Sequence, residues 1–237
     1  MQRKRGKRGK HGVLRAIGVN VLLAGIIAGL YFALTIPYST GAVSVSGFPV
    51  YKGSNRERVA IECALTWDAE AVDEILSTLE LHDTKITFAV SGEWAERNGE
   101  MLRHISELGH EIATMGYNPQ NDGGIDFVCR DVQKSIEIIK RITGKSPCIY
   151  FIGERNADIS AVAAKKLELV PLRGTLDLMC SIGSYEDIIS RAKGNTNGGD
   201  IILTSPTTAF SQALPYILAF LTNRGLTPGS ISSTIYH

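Results

Sequence analysis

The sequence has few cysteines and histidines, and none of them has the spacing of a zinc-binding motif. Its 237 residues include four cysteines, and no two form a C-x-x-C pair, which excludes zinc knuckles and similar small zinc sites. The five histidines are equally dispersed and give no pair with ligand spacing. Apolar neighbours around the cysteines predict buried free thiols. These residues are Cys63, Cys129, Cys148, Cys180, His11, His82, His104, His110 and His237.

Most of the chain also lacks an excess of positive charge. The net charge is +1, but residues 1–15 hold seven Lys and Arg residues and no acid, so the remainder carries 18 bases and 24 acids. Domains that bind nucleic acid carry their positive charge on a folded face. The acidic remainder therefore argues against a nucleic-acid partner.

One segment has no charge at all. Residues 16–36 form a largely apolar run of 21 residues, which as a helix would cross a hydrocarbon core of about 30 Å. The basic tail before it predicts a cytoplasmic N-terminus and an extracytoplasmic C-terminal domain in a single-pass protein of the cell membrane. A cleaved signal peptide is the alternative, but the run exceeds the usual length of about 7–15 residues and no A-x-A pattern follows it.

The rest of the chain divides into a linker and one domain. Residues 37–55 are rich in Gly, Ser and Pro and predict a linker, and residues 56–237 predict a single domain. Short β-branched runs alternate there with apolar residues at helical spacing, which predicts an α/β fold with a mainly parallel sheet, open or barrel-like. The predicted strands are 58–65, 85–91, 148–152, 176–180 and 200–204, and the helical patterns cover 72–79, 101–108, 132–142 and 214–221.

Four short segments, in order along the domain, carry a recognisable pattern. They read KITFAVSGEWAE at 85–96, GHEI at 109–112, ITGKSP at 142–147 and GDIIL at 199–203. Together they resemble the polysaccharide deacetylase (NodB-homology) family, carbohydrate esterase family four, and its sporulation-type branch in particular.

The resemblance implies an incomplete (β/α) barrel with a groove at the carboxyl ends of its strands. In that family an Asp and two His hold a divalent metal such as zinc, and a second Asp serves as general base. A metal-bound water then attacks the acetyl group of a glycan, because the metal makes water nucleophilic at neutral pH and polarises the carbonyl.

The first motif of the family, T-F-D-D, has lost both acids in this sequence. Without gaps it aligns with ECAL at 62–65, which puts Ala64 and Leu65 at the base and ligand positions. An alternative register retains Asp68 as a possible base but leaves Ala69 at the ligand position. The ungapped register is preferred because strand register is strongly specified by the side-chain period.

The other motifs have changed in the same way. Met115 and Pro119 occupy the two positions of the histidine pair, and neither can replace imidazole as a zinc ligand. The third motif, reduced to YFIG at 150–153, has no Arg to orient a carboxylate. Asp177 is the nearest acid to the fourth motif, and Ser205 falls where the fifth motif carries its histidine.

These alignments predict a vestigial groove without a metal site. Asp68 is the one catalytic candidate, and His110 is assigned a structural role in the GHEI turn. Thr66 and Glu111 are further polar candidates for the groove. The predicted groove residues are Glu62, Ala64, Leu65, Met115, Pro119, Asp177 and Ser205.

Three functions remain open from the sequence. The first is a catalytically inactive deacetylase homologue that uses no cofactor and binds a cell-wall glycan or an envelope protein, because the scaffold is retained while the ligands are absent. The second is an active metal-dependent carbohydrate N-deacetylase with a rearranged site. The third is a purely structural domain that binds a protein partner and no sugar.

Overall fold

The structure, a computed structural model, describes residues 48–67, 69 and 71–236, together with Leu23 and Gly25, which are helical. The predicted anchor, apart from those two residues, and the catalytic candidate Asp68 therefore lie outside the described residues. Among the residues that are described, no helix is long and apolar enough to cross a membrane.

Eight short strands alternate with helices from Arg58 onwards in the described chain. The strands are β1 (Arg58–Leu65), β2 (Thr87–Val90), β3 (Glu111–Thr114), β4 (Ile149–Phe151), β5 (Val170–Leu172), β6 (Leu176–Asp177), β7 (Ile201–Thr204) and β8 (Thr227–Gly229). The helices are α1 (Val72–Leu81), α2 (Gly92–Arg97), α3 (Gly99–Glu107), α4 (Ile125–Thr143), α5 (Ala157–Lys166), α6 (Tyr185–Asn195), α7 (Thr208–Asn223) and α8 (Ile231–Ile235).

All the strand pairs are parallel. The strand order is β5-β4-β3-β2-β1-β7-β6, and β8 pairs with the first residues of β1. Helices connect the successive strands, as parallel pairing requires, except that a short loop joins β5 to β6, which do not pair with each other. The result is an incomplete parallel (β/α) half-barrel, which confirms the barrel part of the predicted fold class.

The central strand β1 divides its side chains between two environments. Ile61, Cys63 and Leu65 are fully or almost fully buried in the main core, with helices α1, α2, α3 and α7. Glu62 and Ala64 alternate with them and face the concave side of the sheet. This period of two makes one face of the sheet a packed core and leaves the other available for a site.

The predicted elements are confirmed with small shifts in their ends. The strand predicted at 58–65 is observed as Arg58–Leu65, whereas the one predicted at 176–180 ends at Asp177. Helices α2, α5, α6 and α8 and strands β3, β5 and β8 were not predicted. The thiol prediction is half right, because Cys63 and Cys180 are buried whereas Cys148 is exposed.

Part of the predicted linker is bonded to the domain. Residues 48–55, called the strap below, run from the outer side of β5 to the residues just before β7. The backbone N–H of Val50 donates to Pro171 O (2.8 Å), and that of Gly53 donates to Gly199 O (2.7 Å). The Lys52 ammonium lies 2.6 Å from Asp200 Oδ1. The linker prediction therefore extends too far, because the strap belongs to the domain.

The C-terminal helix α8 closes the end of the sheet where the strands begin. The Ile231 N–H donates to Thr87 Oγ1 (2.9 Å), and the Ser232 N–H donates to the Glu111 carboxylate (3.2 Å). His110 is buried beside them and accepts a hydrogen bond from the Ile86 N–H (3.2 Å). Glu111 is thus a structural acid at the end of the sheet where the strands begin; it is not among the groove-lining residues, so the prediction that it belongs to the groove is wrong. His110 has the structural role that was predicted.

Candidate functional site

A groove of about 370 Å³ lies at the carboxyl ends of the strands. Parallel strands bring the loops that follow them to one edge of the sheet, which is the usual position of a ligand site in such folds. The groove is lined by Glu62, Ala64, Thr66, Met115, Pro119, Gln120, Phe151, Gly153, Glu154, Arg173, Asp177, Leu203, Thr204 and Ser205.

Six of the seven predicted groove residues come together there. The exception is Leu65, which is fully buried in the main core on the opposite face of β1 and is not among the lining residues. A one-residue step along a strand reverses the side-chain direction, so Ala64 and Leu65 cannot both face the groove. Thr66 does line it, as expected.

The floor of the groove contains a buried carboxyl group. Glu62 is 0% exposed, and neither of its carboxyl oxygens has a hydrogen-bond partner among the described residues. Burial, and secondarily the negative charge of Asp177, raise the pKa of Glu62 well above its usual value. Glu62 is therefore held toward its neutral form until something in the groove supplies a counter-charge or a hydrogen bond.

Asp177 lies on the wall beside that carboxyl. It ends β6, is exposed, and accepts a hydrogen bond from the Met179 N–H (2.7 Å). Met179 has a φ of 48°, so the chain turns sharply here. The turn holds the Asp177 carboxylate at the mouth of the groove, where it remains accessible to solvent.

A buried arginine that the sequence analysis missed supports the opposite wall. The Arg155 side chain is 2% exposed, forms an ion pair with Asp131 on α4, and donates to the backbone carbonyls of Asn118 (2.7 Å) and Asn121 (3.0 Å). Asp131 in turn accepts hydrogen bonds from the Tyr117 and Asn118 N–H groups at 2.9 and 3.1 Å. This network fixes the loop that carries Met115 and Pro119.

The third motif therefore retains a guanidinium nearby, but with a different partner. Arg155 follows the YFIG segment by two residues and orients Asp131, which is not a groove residue. The only arginine in the lining is Arg173, whose Nη2 donates to the Arg155 carbonyl (2.8 Å). Its Nε is buried without a hydrogen-bond partner. No local sequence pattern indicates either role.

Comparison with known proteins identifies the domain. The family model for polysaccharide deacetylase matches residues 56–170. The wild-type BA3943 of Bacillus anthracis, a carbohydrate esterase family 4 pseudoenzyme, superimposes with a TM-score of 0.76 at 22% identity, over 81% of this chain and 70% of that one.

The chain contains a polysaccharide deacetylase-like domain.

Two sequence relatives of this deacetylase domain come from other Bacillus species. The uncharacterized protein YlxY of Bacillus subtilis (strain 168) is 23% identical over 190 residues, which cover 78% of this chain and 59% of YlxY. The peptidoglycan-N-acetylglucosamine deacetylase of Bacillus cereus is 33% identical over 92 residues, or 36% of this chain and 34% of the relative. The chain therefore spans less than two thirds of the length of either relative.

The deacetylase domain does not offer the donor set that a family metal needs. Met115 and Pro119 line the groove at the positions of the two histidines, and neither side chain is a zinc ligand of the required kind. Within the described residues no three His, Cys, Asp or Glu side chains converge on a point where a metal ion could bind. The groove residues present therefore do not fit zinc.

Proposed function

We propose that this deacetylase domain is a non-catalytic member of its family that binds a glycan of the cell envelope in its groove. The observation that carries the proposal is the chemistry of the groove. The fold and the groove are retained, while Met115 and Pro119 stand where the family has its two metal-binding histidines and Ala64 stands where it has its general base. Water without a bound cation is too weak a nucleophile at neutral pH for acetamide cleavage.

The proposal places the domain outside the cell, attached by the uncharged segment at residues 16–36. The support for this is the sequence pattern of a basic tail followed by a long apolar run. A glycan of the cell wall is then the polymer nearest to the groove. An envelope protein is the second class of partner that such a location permits.

The first experiment measures catalysis directly. The purified chain is analysed for metal content and incubated with acetylated peptidoglycan fragments and N-acetylglucosamine oligomers, with the Bacillus cereus deacetylase as a positive control. The expected result is no stoichiometric metal and no acetate release above background. Stoichiometric zinc together with acetate release would instead assign the chain to the active metal-dependent N-deacetylases.

The second experiment tests binding and its location. Calorimetric titration with peptidoglycan fragments is expected to show saturable binding that Ser205→Trp abolishes, because a Trp at this position would fill the groove. Gln212→Trp introduces the same side chain on the exposed surface of α7 and should bind as the parent does. If the parent binds no glycan, the proposal is wrong and a purely protein-binding role takes its place.

A further inference from the structure

The two acids of the groove lie in one row across the sheet. Glu62 pairs with Leu203 of β7, and Leu203 pairs with Asp177 of β6. Residues that pair directly in neighbouring strands project toward the same face, so both carboxyl groups point into the groove. The electrostatic effect of Asp177 on the pKa of Glu62 agrees with this arrangement.

The groove as a whole carries more negative than positive groups. Glu62, Glu154 and Asp177 are its acids, and Arg173 is the only base in the lining. One nitrogen of the Arg173 guanidinium, Nη2, already donates a hydrogen bond to a backbone carbonyl. A ligand that enters this groove therefore meets carboxyl groups that lack a counter-charge.

A buried carboxyl group without a hydrogen-bond partner lowers the stability of the domain, and a ligand that supplies the hydrogen bonds can remove this cost. An unmade hydrogen bond at a buried polar atom costs about 1–3 kcal/mol. Both oxygens of Glu62 are in that state in the described structure. A cationic hydrogen-bond donor in the groove would satisfy them and would also interact favourably with Asp177.

We infer that the groove binds the primary ammonium of an amino sugar, in a glycan that has already lost the acetyl group, with Glu62 and Asp177 as its two counter-charges. This inference rests on the proposed glycan-binding function and names the sugar that the site prefers. An ammonium offers three donors, which suits two carboxyl groups that approach from different strands. The supplier of such a ligand is a deacetylation reaction carried out by another protein.

Binding of the ammonium is coupled to one proton. Without a ligand, burial and Asp177 raise the pKa of Glu62 and so favour its protonated form. The ammonium reverses this preference, so Glu62–COOH loses its proton to solvent and the carboxylate pairs with the bound cation. Among the described residues, the other charged or titratable groups around Glu62 are Asp177 on β6, Glu154 and Arg173 on the groove wall, Glu111 in the same row of the sheet beyond Thr87, and the thiols of Cys63 and Cys180.

The test compares two sets of oligomers on the full chain. Glucosamine oligomers and N-acetylglucosamine oligomers of equal length are titrated calorimetrically at about pH 6, where the sugar amine is protonated and most surface carboxylates are ionised. Each titration is repeated in two buffers of different ionisation enthalpy, which reports proton release. The expected result is at least about tenfold tighter binding of the glucosamine oligomers, with up to one proton released per site.

The matched variants locate the effect. Glu62→Gln keeps the size of the side chain but cannot ionise, so it should lose the tenfold preference and the proton release while its thermal unfolding stays close to that of the parent or shifts upward. Glu137→Gln makes the same change on the exposed face of α4 and should leave both unchanged.

The outcomes separate this inference from the proposed function. Binding of the acetylated oligomers as tightly as the amino oligomers, or binding without proton release, overturns the inference and leaves glycan binding in place. Absence of binding to either set overturns both. Tighter binding of Ca²⁺ or Zn²⁺ than of glucosamine oligomers, lost in Glu62→Gln, would assign the carboxyl pair to a metal ion and also overturn the inference.

Discussion

Replacing Glu62 by methionine is expected to stabilise the domain. The side chain of Glu62 is fully buried, and neither carboxyl oxygen is hydrogen-bonded in the described structure. Methionine has a similar length and fills the same space without a polar group. Replacing a buried polar group that has no hydrogen-bond partner by an apolar group of similar shape is one of the few core substitutions that raise stability.

The size of the gain follows from the cost that is removed. The unmade hydrogen bonds of a buried polar group cost about 1–3 kcal/mol. In a domain of this size each kcal/mol shifts the melting temperature by about 2–4 °C. The variant should therefore unfold at a temperature roughly 2–12 °C above that of the parent at neutral pH.

The gain should depend on pH in a defined direction. Because the pKa of Glu62 is raised in the folded state, the folded protein binds more protons than the unfolded chain above the unfolded pKa of about 4.3. The contribution of Glu62 to stability is therefore complete below that pH and is lost as pH rises toward the folded pKa. The advantage of Glu62→Met should grow over the same window, by at most about 1.4 kcal/mol per pH unit.

The assay is urea unfolding of both proteins from about pH 4 to pH 8, a range that brackets the ordinary carboxyl pKa. The difference between the two free energies of unfolding, plotted against pH, isolates Glu62 from every other titrating group. A flat difference curve, or a variant that is less stable than the parent at neutral pH, would show that Glu62 is ionised and paired in the folded protein, and the account of the groove floor would be refuted.

Three further predictions concern other parts of the domain. Burial and the charge of Lys85 lower the pKa of His110 to about 4. The stability that neutral His110 provides should therefore be complete above about pH 6.5 and should fall by up to about 2–3 kcal/mol as the pH drops toward that lowered pKa. The His110→Gln variant should lack this loss in acid titrations followed by circular dichroism. Arg155→Met should lower the free energy of unfolding in urea by about 3–5 kcal/mol, because it leaves Asp131 without its buried partner. Adding Asp131→Asn should recover part of that loss. Equal stability of the parent and the single variant would contradict the role of the pair. Deleting residues 1–55, in comparison with deleting residues 1–44, should lower the melting temperature by several degrees because the strap is lost, and identical melting curves would show that the strap adds nothing.

The fold was predictable from the sequence wherever elements were long or strongly apolar. Continuous or periodic apolar patterns mark strand β1 and helices α1 and α4. Such patterns identify an element even when its first and last residues are not defined by the sequence. Strands β5 and β8 have three residues each and contain Pro171 and Pro228. Such segments have too few residues for a period to be measured, and proline argues against a strand unless the neighbouring strands are known.

The groove was predictable only as far as the motif alignment reached. Alignment placed Glu62, Asp177 and Ser205 near one another, but it also assigned Leu65 to the groove, because an alignment does not show which face of a strand a residue occupies. The Arg155 network depends on contacts between residues 24 to 37 positions apart. Contacts of that range follow from the packing of α4 against the loops, which no local pattern encodes.

The strap has a consequence for how copies of this domain meet. An open parallel sheet ends in two outermost strands whose unpaired N–H and C=O groups can recruit a strand from another molecule. Here the strap already occupies backbone groups on the outer side of β5, at Pro171 and Arg173. Joining of two copies through β5, and the aggregation that follows from it, is thereby disfavoured without the sheet closing into a full ring.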